Sequence, residues 1–213
     1  MTQARITIKD QNAITQMTEL GKIASSIMIE LEKILQENIS TEKLDQEAKK
    51  LLEKHKVKST LKTQLKFPKH ISISVNNIIS GGIPCDKQIL KSGDVIKINL
   101  AINNDKYHVD TTQTFIIESG NLLSNRLIQT AEDITNKAIS FIKPNIKLGD
   151  LGFFITKSMP KNTSFNIIKD LCGHGIGTEF LEDTYQVKNE GSQDIGLTLQ
   201  PGMTFTIEPA ISA

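Results

Sequence analysis

Three residues of this sequence carry donor atoms that suit a divalent metal. Asp110 lies in Tyr107-His108-Val109-Asp110-Thr111-Thr112, His174 in Cys172-Gly173-His174-Gly175-Ile176-Gly177, and Glu208 in Phe205-Thr206-Ile207-Glu208-Pro209. Two carboxylates and an imidazole can hold one such ion. The glycines beside His174 remove side-chain bulk, so the backbone can bend and a substrate can approach. Glu208 follows an apolar run, Met203 to Ile207, where an unpaired carboxylate would be costly to bury, so a metal or a cation should accompany it. Asp110 and Glu208 together bring a charge of −2, enough to neutralise one divalent ion and not two. Cys85 and Cys172 read as small packed residues, since neither has an evident general base beside it.

Elements to position these groups can be read from periodicity. Apolar residues Ile14, Met17, Leu20, Ile23, Ala24, Ile27, Leu31, Ile34 and Leu35 recur in steps of three and four, which predicts a long helix over 10–36. Gly21 inside it costs about 1 kcal/mol relative to alanine unless a close helix contact uses it. A second helix is predicted from Thr41 as its cap, with Leu44, Ala48, Leu51 and Leu52 inward. Ile71 to Val75 alternates at period two. Residues 95–102 and 107–117 form a hairpin about Asn103-Asn104-Asp105-Lys106, which places Asn99 and Asp110 on its two arms. Helices are predicted over 124–142 and from Leu148 to just before Pro160. A short strand at 166–169, a glycine-bounded loop at 172–178 and a last strand at 203–207 complete the chain. Residues 1–8 form a short alternating lead-in. This order of helices and antiparallel strands is α+β, organised as a single domain over 1–213.

Composition narrows the function classes. The 213 residues are 38% hydrophobic and 23% charged, with 25 basic and 24 acidic side chains and a formal charge of +1. No basic excess points to nucleic acid, and no charge run points to a membrane surface. No apolar run is long enough for a signal peptide or a membrane span. Two cysteines make no disulfide framework, which fits a reducing cytoplasm.

In order with Phe67-Pro68-Lys69 and Gly82-Ile83-Pro84, the three ligand segments resemble the type I methionine aminopeptidases, the pita-bread metallopeptidase family. The resemblance runs from about Ile8 to the last residue. It implies a pita-bread fold, two pseudo-symmetric halves around a curved antiparallel sheet, here lacking the C-terminal strands. It implies metal ligands at Asp110, His174 and Glu208, with Asn99 where the family has an aspartate. It implies a methionine slot that includes Phe67, Ser72 and Phe180. Against the family pattern, Gly81 and Leu181 stand where histidines contact the substrate or its developing oxyanion, and a bridging glutamate would lie beyond Ala213. These departures predict at most one divalent ion (Co, Mn, Fe or Zn) or none, and little or no catalysis. The expected function is binding of a peptide or protein N-terminus. The alternative is a metal-dependent aminopeptidase that removes N-terminal methionine with one ion. An edge left after the strand bearing Glu208, with core residues near Phe205 and Ile207 uncovered, predicts a homodimer, a partner strand or marginal solubility.

Overall fold

The computed structural model describes residues 7–161 and 163–213, so most of the expected lead-in over 1–8 lies outside the described residues. The chain divides into two compact units, one of Met1–Ile14 with Arg126–Ala213 and one of Thr15–Asn125.

In the unit of Thr15–Asn125, helix α1 (Gln11–Glu32) enters from residue 11. Asp10 starts it: its Oδ1 accepts the backbone N–H of Ala13 at 2.7 Å, as an N-cap side chain does. Met17, Leu20, Ala24, Ile27, Met28 and Leu31 are buried along its inner face. Helix α2 (Thr41–Lys54) is capped one residue earlier than the sequence suggests, because the Ser40 hydroxyl accepts from Lys43 N–H at 3.2 Å. The Thr41 hydroxyl instead holds Cys85, donating to its carbonyl and accepting from its N–H.

The sheet of this unit is antiparallel and centred on β3 (Val95–Asn103). β1 (Lys58–Ser59), β2 (Ser72–Val75) and β4 (His108–Ile116) all pair with β3, and the single-turn α3 (Thr60–Thr63) follows β1. Ile96, Ile98, Leu100 and Ile102 alternate along β3 and are fully buried, so this face of the sheet makes the core. The opposite face carries Asn99. The register sets Ser72 and Thr112 directly across from Asn99 on the two flanking strands. Directly paired residues share a face, and so do residues two apart on one strand. Ser72, Asn99, Asp110 and Thr112 therefore lie on one polar face.

Buried Asp45 anchors the approach to β2. One oxygen accepts the backbone N–H groups of His70 at 2.6 Å and Ile71 at 3.0 Å, and the other lies 3.2 Å from His70 Nδ1. The neighbouring Lys69 ammonium is held by Glu42, which raises its pKa.

In the other unit, α4 (Leu122–Phe141) and α5 (Leu148–Ser158) supply Ile134, Ala138, Leu148, Leu151 and Ile155 to a core completed by Ile146, Val187 and Leu199. Two small sheets accompany them. β5 (Asn166–Ile167) pairs with β8 (Ile211–Ser212), and β6 (Cys172–Gly175) pairs with β7 (Glu182–Lys188).

Three expectations need correction here. Residues 172–175 are a strand rather than part of a loop. β7 had no reading as a strand, although it pairs with the histidine segment. Residues 203–207 run extended but form no regular strand, so Glu208 does not end one. The cause is local: the Thr206 hydroxyl takes the His174 N–H at 2.9 Å, while Thr206 N–H donates to the His174 carbonyl at 2.8 Å. A side-chain acceptor has replaced a ladder carbonyl, which breaks the repeat. Phe205 and Ile207, expected to lose their cover, are half-buried and packed against the core cluster. Ile211 and Ser212 have a strand partner in β5.

Candidate functional site

His174 sits at the end of the regular part of β6. The pairing runs His174 to Gln186 and then jumps to Gly175 with Glu182, so β7 bulges outward opposite the histidine. Such irregularities re-aim side chains at functional positions. Gly173 is required next to it, because a Cβ there would overlap the Thr206 carbonyl.

The histidine ring is held on two sides. Nδ1 lies 2.9 Å from the Gly175 carbonyl, an acceptor only, so Nδ1 carries a proton, and in the neutral ring Nε2 then carries the lone pair. The ring meets Phe180 edge-on at 5.0 Å between centroids. Nε2 faces Glu208 Oε1 at 3.8 Å, too far for a hydrogen bond. Glu208 is oriented by the Thr206 hydroxyl, which donates to Oε1 at 2.7 Å. Its carbonyl is held at 2.9 Å by the side chain of fully buried Asn189, which also donates to the Leu171 carbonyl.

This donor set fits a cation. Two electron-rich atoms face each other with no proton between them in the neutral ring, and each is fixed by a hydrogen bond behind it, as ligands in metal sites are. Two ligand atoms ~2.1 Å from a tetrahedral ion lie roughly 3.4 Å apart, so the 3.8 Å separation needs a contraction of only a few tenths of an ångström.

On the other unit, Asp110 is half-buried on β4. Asn99 Nδ2 donates to its Oδ1 at 2.7 Å and to the Thr112 hydroxyl at 2.9 Å. A carboxylate can only accept, so it turns the amide nitrogen of Asn99 toward itself. Asn99 therefore serves Asp110 as a donor. Ser72 is buried and donates to the Gly82 carbonyl at 3.2 Å, so its hydroxyl proton is already used. Phe67 is half-buried and closes the turn after α3 with its N–H on the Leu61 carbonyl. Phe180 is buried beside His174.

Gly81 is exposed with φ +70°, in the left-handed region, and a Cβ there would meet only open space. Leu181 is 47% exposed, an apolar side chain left in solvent one residue after Phe180.

Sequence reasoning missed two neighbours of the candidate site. Thr206 and Tyr185 gave no signal, since an isolated threonine or tyrosine in a strand is ordinary. The half-buried Tyr185 hydroxyl donates to the Thr204 carbonyl at 3.1 Å. Burial first, and then the negative charge of Glu182, pushes its pKa up to about 12. Among the described residues no helix is long and apolar enough to cross a membrane.

Comparison with known proteins adds the following. The profile of metallopeptidase family M24 matches residues 15–213. A methionine aminopeptidase of Buchnera aphidicola (subspecies Schizaphis graminum) is 37% identical over 206 residues, covering 97% of this chain and 78% of that protein. The methionine aminopeptidase of Escherichia coli K12 is 33% identical over 210 residues, at 98% and 78% coverage. Among solved structures, methionine aminopeptidase from Rickettsia prowazekii superposes with a TM-score of 0.92 at 31% identity, over 97% of this chain and 82% of that one. A prolidase from Pyrococcus horikoshii OT3 shares the fold at 20% identity, with a TM-score of 0.76.

Proposed function

This chain belongs to metallopeptidase family M24, among the methionine aminopeptidases with their pita-bread fold, and from that premise we propose that it binds peptide or protein N-termini with at most one divalent ion and with strongly reduced peptidase chemistry. Asp110, His174 and Glu208 would hold the ion. When bound, it would supply Lewis-acid polarisation of a peptide carbonyl. Gly175 and Thr206 keep the two ligands of their unit aimed: the first fixes the imidazole tautomer, the second fixes one carboxylate oxygen. Phe180, Phe67 and Ser72 are the proposed walls of the side-chain slot.

The observation that carries the reduced-activity reading is the Asn99–Asp110 hydrogen bond. Asn99 presents a donor where a second metal would need an anionic oxygen. Gly81 and Leu181 add to it, because neither can donate a hydrogen bond from its side chain to a developing oxyanion. Removing one such donor typically lowers a rate by about 10²–10³. The fixed pair of His174 and Glu208 supports the second reading, a one-metal aminopeptidase that removes N-terminal methionine.

One assay separates the two. The protein is incubated with a Met-Ala-Ser peptide and Co²⁺, Mn²⁺ or Fe²⁺, and release of methionine is followed with peptide binding measured in parallel. Binding with turnover far below ~1 s⁻¹, the low end of ordinary enzymes, supports the leading reading. Turnover at ordinary rates overturns it in favour of the second.

A further inference from the structure

We infer that Lys9 and Glu182 form a buried strut that positions His174, which makes them positioning residues of the candidate site. The inference rests on the reading of His174 as a ligand. Both side chains are almost completely buried, at 2% and 4% exposure. The ammonium uses all three of its protons: it bonds both Glu182 oxygens, at 2.6 and 2.5 Å, and the Thr7 carbonyl at 3.1 Å. The Lys9 backbone N–H is tied to the Gly202 carbonyl at 2.8 Å. A pair removed from water this thoroughly faces a large desolvation penalty, and fixed geometry is what such pairs can provide in return.

Its place in the fold gives that geometry a target. Glu182 is the residue paired with Gly175, immediately past the bulge opposite His174. Gly175 supplies the carbonyl that holds His174 Nδ1–H. The Lys9 stem and the Glu182 carboxylate also occupy the space where a Gly177 side chain would stand. Tyr185 closes the other flank. Its ring lies against Gly175 and its hydroxyl holds Thr204, whose hydroxyl in turn donates to the Ile176 carbonyl. The Gly175-Ile176-Gly177 backbone is thus clamped between the ion pair and the tyrosine. Rotation of the Gly175 carbonyl would release the histidine tautomer. Because the glycines have no side chains of their own to fix this backbone, the surrounding groups must do so.

The test uses Glu182→Gln, which keeps shape and removes charge, and the charge-swapped double variant Lys9→Glu with Glu182→Lys. Imidazole ¹⁵N shifts are recorded on metal-free protein, with His174→Ala used to assign the His174 signal among the four histidines. Mn²⁺ binding is measured by calorimetry, and folding is checked by circular dichroism. The expected result for Glu182→Gln is a folded protein whose His174 signal loses its single Nδ1–H tautomer and whose Mn²⁺ affinity falls about 10- to 100-fold, as for lost outer-shell partners. The swapped pair should recover both readouts, and it carries the test alone if the single variant does not fold: a folded swap with the wild-type His174 signal supports the strut. A Glu182→Gln protein that merely melts earlier, with unchanged His174 shifts, overturns it. So does a folded swap that lacks the wild-type tautomer. If the wild type binds no Mn²⁺, the proposed function fails, and the tautomer readout still decides the strut.

Discussion

Replacing Asn99 with aspartate should convert the weakest point of the candidate site into a metal-dependent one. In the wild type, Asn99 Nδ2 donates to Asp110 Oδ1 at 2.7 Å and to the Thr112 hydroxyl at 2.9 Å. Asn99→Asp removes both donations and sets two carboxylates side by side. Their charge centres would lie ~4 Å apart, where repulsion is about 1 kcal/mol in water and about 4 kcal/mol at the effective dielectric near a protein surface. Both residues are half-buried, so a value between these limits applies. Losing a hydrogen bond to a charged group adds about 1.5–3 kcal/mol. Partial relief by solvent brings the expected loss to roughly 2–4 kcal/mol for metal-free protein at pH 8. The pH dependence has a definite sign. The folded variant would hold a proton on the carboxylate pair to higher pH than the unfolded chain does, so the deficit is absent below the unfolded pKa near ~4 and grows as pH rises through the folded value. Divalent ion should narrow the deficit if the added carboxylate tightens binding beyond that of the wild type, since a ligand at 100 times its Kd adds about 2.7 kcal/mol to the protein that binds it. The assay is urea denaturation at pH 4 and pH 8, with chelator or with Mn²⁺. A variant as stable as wild type at pH 8 in chelator would falsify the reading of Asn99 as the hydrogen-bond donor that satisfies Asp110.

Four further outcomes are expected. His174→Ala should abolish Mn²⁺ binding measured by calorimetry, because it removes the only nitrogen donor of the proposed set; retained affinity would move the ion elsewhere. Gly81→His should lower stability by about 1–2 kcal/mol, since φ is +70° there and the left-handed region disfavours side chains, and a thermal melt reads this directly. Gly21→Ala should raise stability by about 1 kcal/mol, because no atom lies within 4 Å of the added Cβ and no close helix contact uses the glycine. A spectrophotometric titration should show Tyr185 ionising at about 12, an event lost in Tyr185→Phe. Since that pKa is raised above the model-peptide value near ~10, the associated stability is present below pH ~10 and is lost as pH rises toward the folded value.

The parts legible in the sequence were those in which side-chain period and backbone geometry agree. α1, α2, α4, α5 and the β3–β4 hairpin follow from apolar spacing and turn residues, and their observed bounds differ from expectation by a few residues at the ends. The hairpin reading also placed Asn99 and Asp110 on its two arms, and the register sets them diagonally on one face, Asn99 across from Thr112 and Asp110 two residues before it. The β6–β7 pair was not legible. Cys172-Gly173-His174-Gly175 has almost no side chains to alternate, so its strand character comes entirely from a partner found later in the chain. The partner's own period is broken by the bulge between Glu182 and Gln186. Met203 to Ile207 failed in the opposite way: its composition suits a strand, but the Thr206 hydroxyl captures a hydrogen bond the ladder would have used.

The same contrast explains why the candidate ligands were easier to single out than the groups that hold them. A histidine between glycines declares itself, because few other uses need that combination. What holds it declares nothing: Thr206, Lys9, Glu182 and the Gly175 carbonyl are ordinary groups whose roles exist only once the chain has folded. Asn99 is the instructive middle case. Its residue type alone says that one carboxylate is absent. The fold adds that the amide has been put to work, its nitrogen given to Asp110 and Thr112. A second ion would therefore have to displace two hydrogen bonds as well as overcome a missing charge. Under the proposed one-ion reading, the hydrogen-bond network on β3 and β4 works against a second metal as much as the missing charge does, and any attempt to build one in must reshape that network together with the carboxylate.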